Sequence, residues 1–338
     1  MPYRMPAEWE PHTATWLAWP HYEKHWPGKL EKIPFVYAEI IRALKDGEKV
    51  YVCVNNAKME DAARDVLKIA GVNFTDDQVN FFIIPTDASW ARDHGPIFVK
   101  DDAGNLIITD WVYNAWGGKW PHRNDDIVPQ KIGKIFNYPV IEPGMVLEGG
   151  SIDVNGQGTM LTTKQCLLNQ NRNPNLDQRG IEKYLSDYLG VKNFIWLEEG
   201  IVGDDTDGHI DDVARFVDVG TILCALADDL TDENYACLKK NYESLQIVRD
   251  QDGKKFKIIT LPMPGPIYIN DARMAASYLN FYIANDVVLM PRYNCPQDVT
   301  ALKILKDVFS DRKVVAIDCV DLIWGFGAIH CSTQQQPL

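Results

Sequence analysis

The sequence lacks the patterns that mark several large classes of protein. It has no run of about 20 apolar residues, the length that a membrane-spanning helix needs. Its opening segment, MPYRMPAEWEPHTATW, has no apolar core of the kind found in secretory signals. The cysteines number seven, an odd count, and none forms a CxxC pair, which argues against a disulfide framework and a structural zinc module. We therefore predict a protein of the reducing cytoplasm.

Positive charge is also scarce. Lys and Arg together number 34 against 47 Asp and Glu, which gives a formal net charge of -13. Nucleic acids and anionic membranes reward clustered Lys and Arg, so neither is an expected partner. An acidic protein can attract a small cationic substrate, although acidity also serves solubility alone.

Short apolar segments alternate with helical patterns along the whole chain. The strand-like segments include KVYVCV, NLIITDWV, GTILCAL, DVVLMP and KVVAID. Apolar residues at intervals of three and four predict helices at 35–44, 59–69, 181–189, 233–245 and 299–309. The linking loops are short and none is of low complexity. This alternation predicts an α/β fold and one domain over residues 1–338.

Polar clusters that contain glycine recur beside the strands. They read WARDHGPIFV, LEGGSIDV, DGHIDDVARFV and WGFGAIHC, with a plainer version at YLNFYIANDVVL. The recurrence indicates a weak internal repeat whose polar clusters meet in one place.

The cluster DGHIDDVARF contains the first candidate pair. If residues 209–216 form a strand, His209 and Asp211 lie on one face of it. Such a pair can act as a general acid/base with a polar neighbour, or as two metal ligands. A solvated strand end explains the same pattern.

Three further clusters hold the other candidates, which are Trp90 and Asp93 in SWARDHGP, Glu148 in LEGGS, and Cys331 in GAIHC. Alone, the aspartate can form a turn, the diglycine can serve a tight bend, and the cysteine can be a small buried hydrophobe. Together with His209 they are the parts that hydrolysis of a guanidinium group requires. Carboxylates grip its N–H fork, a thiolate attacks its central carbon, and an imidazole transfers protons.

Two other classes of function stay open on the residues alone. A metal-dependent hydrolase would use His209, Asp211, Asp93 and Glu148. The chain, however, has only 7 His and no HExxH motif, and this alternative leaves Cys331 unexplained. A binding protein for cationic amines would hold a similar ligand without turnover.

Five motifs resemble, in order, those of the agmatine deiminase branch of the peptidyl-arginine deiminase-like guanidine-modifying enzymes. They read MPAEWEPHTATWLAWP, WARDHGP, LEGGSIDVNGQGTMLTTKQCLLNQNRNP, GDDTDGHIDDVARF and IHCSTQQQP, and they span essentially the whole chain. The resemblance implies a five-bladed α/β propeller of ββαβ repeats around a pseudo-fivefold axis, with the active site in the central channel. It also implies hydrolysis of agmatine to N-carbamoylputrescine and ammonia, a step of putrescine and polyamine biosynthesis, without a metal or organic cofactor.

The resemblance further implies a role for each candidate residue. Cys331 matches the nucleophile, which forms a covalent amidino-thioether intermediate. His209 matches the general acid/base, and Glu148 matches the carboxylate that orients it. The implied substrate-binding residues are Asp93 and Asp211, which grip the guanidinium nitrogens, and Trp90, an aromatic near the substrate.

The sequence departs from the family pattern near the thiol and beside the histidine. Phe326 and Ala328 stand in GFGA, where the family commonly has Gly-Gly-Gly-Asn, which leaves free or peptidyl arginine as alternative substrates. Arg215 could hold a substrate carboxylate, but a structural ion pair is the favoured role. If the segment around Cys331 is extended, His330 points to the opposite face and packs there. A homodimer is expected because twofold-symmetric pairs are the commonest oligomers.

Overall fold

Helices and strands alternate along the chain, as the apolar patterning predicts. The computed structural model describes residues 3–338, so Met1 and Pro2, with which the predicted domain begins, lie outside the described residues. The helices are α1 (Ile33–Leu44), α2 (Ala57–Ile69), α3 (Ala91–His94), α4 (Ala115–Gly118), α5 (Val128–Phe136), α6 (Lys164–Leu167), α7 (Gln178–Leu189), α8 (Tyr235–Leu245), α9 (Gln297–Val308) and α10 (Ile329–Ser332).

The strands are short, as expected for the apolar segments that form them. In chain order they are β1 (Tyr3–Arg4), β2 (His12–Ala18), β3 (Lys49–Val54), β4 (Val79–Ile83), β5 (Ile97–Asp101), β6 (Leu106–Thr109), β7 (Val140–Ile141), β8 (Ile152–Val154), β9 (Thr159–Thr163), β10 (Asn193–Leu197), β11 (Ala214–Asp218), β12 (Thr221–Leu226), β13 (Lys257–Pro262), β14 (Tyr268–Ile269), β15 (Ala272–Arg273), β16 (Tyr282–Ile283), β17 (Val287–Arg292), β18 (Lys313–Asp318) and β19 (Gln334–Pro337).

All five predicted helices are confirmed, as α1, α2, α7, α8 and α9, with small differences at their first turns. Those differences arise because polar caps lie outside the apolar periodicity. Asn56 accepts a hydrogen bond from the backbone N–H of Met59 at the start of α2, and Asp177 accepts one from Gly180 at the start of α7. The long helices bury one apolar face each, against the sheets.

One arrangement of strands and helix recurs through the fold. An antiparallel pair is followed by a helix, and the strand after the helix pairs in parallel with the second strand of the pair. The order is β8, β9, α7, β10 in one unit, β11, β12, α8, β13 in the next, and β16, β17, α9, β18 in a third. The strands β5, β6 and β7 follow the same rule around α5. The predicted α/β class and the weak internal repeat are thereby confirmed.

The fifth unit joins distant parts of the chain. Strand β19 pairs antiparallel with β2, which continues through α1 to the parallel strand β3, and β4 then completes this sheet. The indole Nε1 of Trp16 donates a hydrogen bond to the side-chain oxygen of Gln336 at 2.9 Å. Because α10 lies directly before β19, this pairing fixes where Cys331 is held.

The predicted strand over 209–216 is wrong in its first half. Residues Ile210–Asp212 form a 3-10 turn, and the strand β11 begins only at Ala214. Val213 has helical backbone angles, φ -116° and ψ -48°, so the alternation of faces does not reach His209.

None of the helices in the described part of the chain is long and apolar enough to cross a bilayer.

Replacement of Leu17 tests the packing of the central strands. Leu17 lies in β2 with 0% of its surface exposed, so Leu17→Ala should lower the free energy of unfolding by about 2–5 kcal/mol. Ile69→Ala is the matched control, because Ile69 is 74% exposed at the end of α2 and its loss should change stability by less than about 0.5 kcal/mol. Urea unfolding measures both, and equal effects would contradict the described core.

Candidate active site

Every unit of the fold brings one segment to the same place. In each case the segment lies directly before the first strand of the unit's antiparallel pair. These segments are α3 before β5, the 3-10 turn Gly149–Ser151 before β8, the 3-10 turn Ile210–Asp212 before β11, Asn280 before β16, and α10 before β19. They carry Asp93, Glu148, His209 with Asp211, Asn280 and Cys331. The predicted site residues therefore occupy equivalent positions of the repeat.

Asp93 is held by two donors from neighbouring segments. Its Oδ1 accepts from the backbone N–H of Gly150 at 2.9 Å, and its Oδ2 accepts from Trp116 Nε1 at 2.9 Å. The same Oδ1 lies 3.7 Å from Nδ1 of His209. A Cβ at Gly150 would come within 2.5 Å of that imidazole nitrogen, so this second residue of the diglycine must be glycine for Asp93 and His209 to approach each other.

Cys331 lies beside Asn280 and Asp211. Asn280 Nδ2 is 3.1 Å from the Cys331 sulfur, and Asn280 Oδ1 accepts from the backbone N–H of Cys331 at 3.3 Å. The Sγ atom is 3.9 Å from Oδ2 of Asp211. Asn280 Nδ2 also lies 3.2 Å from Oδ1 of Asp212, so the amide side chain fixes the thiol against two carboxylates.

Glu148 and His209 lie close together, and each has buried polar atoms without a hydrogen-bond partner. Arg172 Nε donates to Oε1 of Glu148 at 2.6 Å. Within residues 3–338, Oε2 of Glu148 and both ring nitrogens of His209 have no hydrogen-bond partner, although all three atoms are buried. Buried polar groups without partners are rare in proteins, and they are available here to each other or to a ligand.

The surroundings shift the pKa values of these groups in different directions. Burial and the nearby carboxylates of Asp211 and Glu148 raise the pKa of Asp93 well above its ordinary value. Burial acts in the same direction on Asp211, but the hydrogen bond and charge of His330 outweigh it and lower the pKa of that carboxyl. Burial lowers the pKa of His209 to about 3, so its imidazole is neutral at pH 7.

A pocket of about 330 Å³ is lined by two of these groups, Asp93 and Cys331. Its lining is aromatic with a few polar atoms, and comprises His25, Trp90, Asp93, Trp116, Trp120, Asp205, Thr206, Gly325, Phe326, Gly327 and Cys331. Asp205 and Thr206 belong to the loop before His209. The pocket thus combines an aromatic wall with carboxylates, which suits a cation carried on an apolar stem.

The glycines around Phe326 serve close approach to the pocket wall. A Cβ at Gly327 would come within 2.8 Å of the Trp90 ring and 3.0 Å of the Cys331 Cβ. Phe326 itself has a left-handed backbone, with φ 70°, and lines the pocket at the position that the sequence marked as a departure. Trp90 lies in the pocket wall.

Two expectations about neighbouring residues are corrected or resolved by the structure. His330 lies in the helix α10 rather than in an extended segment, yet its ring is buried outside the pocket that Cys331 lines, and its Nδ1 is 2.6 Å from Oδ2 of Asp211. Arg215 is 1% exposed and pairs with Asp153 and with Glu8, the latter at 2.9 Å. It is a structural ion pair, and the alternative of a substrate carboxylate partner is wrong.

The residues named for a metal-dependent hydrolase do not form one metal-ligating group. Among the described residues the group with ligand atoms within 4.8 Å of one another is Glu148, Cys166 and His209. The Arg172 guanidinium already occupies one oxygen of Glu148, and its positive charge opposes a cation there.

The sequence patterns assigned no function to several residues around the site. Arg172, Trp116 and Glu8 contact the predicted residues through tertiary structure that brings together distant segments. Arg172 stands in the NQNRNP part of a quoted motif, which is the one signal that could have singled it out.

The fold and the site together define a class: an α/β enzyme with a buried cysteine in a carboxylate-rich pocket. The profile of the Porphyromonas-type peptidyl-arginine deiminase family matches residues 4–337. The agmatine deiminase of Stutzerimonas stutzeri is 39% identical over 361 aligned positions, which cover 99% of this chain and 95% of that protein. The chain belongs to this family, as the motifs predict, and is a hydrolase of carbon–nitrogen bonds in amidine or guanidino groups.

Solved structures agree with the sequence relatives. The agmatine deiminase of Enterococcus faecalis superimposes with a TM-score of 0.91 at 32% identity, covering 99% of this chain and 96% of that one. A C. jejuni agmatine deiminase with substrate bound gives a TM-score of 0.89 at 34% identity, with the same shares covered.

The reactivity of Cys331 tests the electrostatics of the pocket. Burial and the carboxylates of Asp211 and Asp212 raise the pKa of the Cys331 thiol well above its ordinary value. Without substrate, its alkylation by iodoacetamide should therefore be slower near pH 7 than that of a cysteine peptide in the same tube. The rate should rise about tenfold per pH unit up to about pH 9, because the thiolate is the nucleophile. Mass spectrometry of the Cys331 peptide measures the rate, and a plateau below about pH 8 would show the opposite shift.

Proposed function

We propose that this protein hydrolyses the guanidinium group of agmatine to N-carbamoylputrescine and ammonia. The observation that carries the proposal is the pocket lined by the Cys331 thiol and the Asp93 carboxylate, with three further groups directly beside them. Asp211 lies 3.9 Å from the thiol, the His209 imidazole lies 3.7 Å from Asp93, and Glu148 lies close to His209. The named relatives, all agmatine deiminases, support the choice of substrate. The product would feed putrescine and polyamine biosynthesis.

In the proposed reaction, Asp93 and Asp211 bind the guanidinium nitrogens through charge-assisted hydrogen bonds. The substrate's positive charge favours the Cys331 thiolate, which burial alone disfavours. The thiol proton passes to His209, whose neutral ring nitrogens are free to receive it. Glu148, with its free Oε2, orients and stabilises the imidazolium that forms.

The thiolate sulfur then bonds to the central carbon of the guanidinium, and one C–N bond breaks. His209 gives its proton to the leaving nitrogen, which departs as ammonia, and an amidino-thioether to Cys331 remains. Water attacks the same carbon while His209 accepts one of its protons, and the C–S bond breaks to release the ureido product. His209 then returns its proton to the Cys331 thiolate, and the second water proton leaves with ammonia as ammonium. One water is consumed and one ammonia released in each cycle, with residues of the chain as the only catalysts in the proposal.

The charges of the pocket lining favour agmatine over arginine as the substrate. Among the described residues, the lining contains no Lys or Arg that could pair with an α-carboxylate. It contains the carboxylate of Asp205, and burial lowers the pKa of His25 to about 4, so that ring is neutral. The nearby Lys119 pairs more closely with Asp207, at 2.9 Å, than with Asp205, at 3.7 Å, so its charge only partly offsets the Asp205 carboxylate. An alkylammonium tail therefore finds an anion here, and an amino-acid tail would bring a second anion beside it.

The same proposal extends to the architecture. The five recurring units would be the blades of a propeller around a pseudo-fivefold axis, with the five site-bearing segments facing its central channel. We propose one deiminase domain over residues 1–338, supported by the family match over 4–337.

Seven free cysteines in the described part of the chain support a reducing cytoplasm.

Turnover of agmatine tests the proposal directly. The purified protein should release ammonia and N-carbamoylputrescine from agmatine, faster than from free arginine, a peptide with C-terminal arginine, or methylated arginines. Cys331→Ala should abolish turnover, because no other group supplies the covalent bond to carbon. Cys237→Ala, which alters a half-buried cysteine of α8, is the matched control and should retain full activity. EDTA should have no effect and iodoacetamide should inactivate.

Activity that survives in Cys331→Ala would refute the nucleophile. Inactivation by EDTA with resistance to iodoacetamide would favour a metal-dependent hydrolase, and binding of agmatine without ammonia release would favour a binding protein.

Asp205 tests recognition of the substrate tail. Asp205→Asn should raise KM for agmatine about tenfold with little change in kcat, since a lost ionic contact of about 1.4 kcal/mol corresponds to that factor. Asp252→Asn, which neutralises an exposed acid in a distant turn, should change neither constant. An unchanged KM in Asp205→Asn would assign the tail to another part of the pocket.

A further inference from the structure

A group of buried charges surrounds Asp211 on the side away from the pocket. It comprises three carboxylates, two guanidinium groups and one imidazole, namely Glu8, Asp153, Asp211, Arg92, Arg215 and His330. Four of these residues line a second cavity, also of about 330 Å³. Burial of charge is costly unless each charge is paired, so the pairing in this group determines which members can be ionised.

His330 joins the group to the candidate site. Its Nδ1 lies 2.6 Å from Oδ2 of Asp211, and its Nε2 lies 2.8 Å from Oε2 of Glu8. A neutral imidazole has one N–H donor and one acceptor nitrogen, whereas both carboxylate oxygens are acceptors. Two hydrogen bonds of this kind require both ring nitrogens to donate. The geometry is therefore that of an imidazolium.

The charges of the group balance only in that state. Glu8, Asp153 and Asp211 supply three negative charges, and the guanidinium groups of Arg92 and Arg215 supply two positive ones. Burial raises the pKa of Asp153 to about 6 against the pull of Arg215, so this carboxyl is still ionised at pH 7. A protonated His330 is the third cation, and with it the buried group is neutral overall.

Glu8 holds the ring in place from the other side. Its Oε1 accepts from Arg215 at 2.9 Å and from the backbone N–H of Ile283 at 2.8 Å, and its Oε2 also lies 3.1 Å from Arg92. Although burial opposes ionisation, Arg215, His330 and Arg92 lower the pKa of Glu8 well below its ordinary value. A carboxylate with four donors has little freedom to move, so it fixes the position of the imidazole.

The three carboxyl groups nearest Cys331 differ in how readily they ionise. Asp212 follows Asp211 directly, and burial together with the Asp211 charge raises its pKa well above the ordinary value. Asp93 has a raised pKa for a similar reason. Of these three, Asp211 is the carboxyl group that contacts the His330 ring.

We propose that His330, held as an imidazolium by Glu8, is a positioning residue that keeps Asp211 ionised and oriented for the substrate. The inference rests on the proposed function, because it assigns Asp211 to the guanidinium. It gives His330 a task distinct from that of His209: His330 transfers no proton during the reaction, and its fixed charge selects which carboxylate meets the substrate as an anion.

Several charged groups face His330 and bear on its titration. Asp211 and Glu8 contact the ring, and the Nε of Arg92 approaches the backbone carbonyl of His330 at 3.4 Å. Arg215 and Asp153 stand behind Glu8. His209 belongs to the same turn as Asp211, and its neutral ring adds no charge at pH 7.

The pH dependence of kcat/KM for agmatine tests the role of this charge. In His330→Gln a hydrogen-bonding side chain remains but the charge is gone, and burial then raises the pKa of Asp211. Activity that needs the Asp211 carboxylate is lost as pH falls through that pKa, so the acid limb should move up by about 1 pH unit or more. Glu8→Gln, which removes the anion that holds the imidazolium, should shift the limb in the same direction.

His12→Gln is the matched control for the loss of a buried histidine. His12 Nδ1 lies 3.2 Å from Oε1 of Glu48, and its Nε2 lies 2.7 Å from the backbone carbonyl of Glu8. This variant therefore also breaks a buried imidazole–carboxylate pair, but it leaves the side chains of Glu8, His330 and Asp211 in place. It should lower stability and leave the acid limb where it is in the parent. If His330→Gln is less active at every pH with an unshifted acid limb, the ring serves packing alone and the proposal is overturned.

A direct measurement on the parent protein keeps the inference testable if the variants fold poorly. Nitrogen-15 NMR of histidine-labelled protein distinguishes an imidazolium from either neutral tautomer. The His330 ring should carry two protons at pH 7, and a neutral ring at that pH would overturn the proposal. This result does not depend on turnover, whereas absence of ammonia release from agmatine by the parent would refute the proposed function and leave the ring's protonation state as measured.

Discussion

Buried negative charge is the constraint on which the rest of the structure depends. Asp93, Glu148, Asp211 and Asp212 lie together away from water, and burial alone would protonate them. The protein compensates them unequally. Glu148 has the guanidinium of Arg172, Asp211 has His330, and Asp93 has an indole and a backbone N–H as neutral donors. The deficit of positive charge that remains is what a cationic substrate would supply.

The repeated unit explains how one chain gathers so many polar groups at one place. Each site-bearing segment is a short turn directly before a strand, and the strand's backbone hydrogen bonds hold the turn in a fixed position. Sites built beside regular elements in this way are held more rigidly than sites on long loops. The aromatic wall completes the arrangement, since Trp90 and Trp116 limit access of water to the thiol and to Asp93.

Much of this could be predicted from sequence because the relevant information is local. Apolar periodicity located the helices, and glycine-containing polar clusters marked the segments that carry Cys331, His209, Glu148 and Asp93. The strand predicted over 209–216 failed because alternating polarity also fits a 3-10 turn followed by a strand, and periodicity alone does not separate the two. The extended backbone assumed around His330 was wrong for the same reason, since this segment is the short helix α10.

The partners of the site residues were out of reach of sequence for a different reason. Glu8 contacts His330 across 322 positions of the chain, and Arg172 contacts Glu148 across 24. No local pattern encodes such a pair, because its two members are specified only once the sheets are in register. Phe326 is a related case: its left-handed backbone ends the 3-10 turn Leu322–Gly325, and its neighbour Gly327 lies against Trp90, which is a tertiary contact.

The pairing of β19 with β2 has a consequence for how the protein matures. The bond between Trp16 and Gln336 spans 320 positions, so the strand that anchors Cys331 depends on contacts of nearly maximal sequence separation. Contacts of this kind are entropically expensive to close and tend to form late in folding. Until that step the cysteine has neither Asn280 nor Asp211 beside it, and a partly folded chain carries an ordinary thiol. The surroundings of Cys331 are thus complete only when folding is nearly finished.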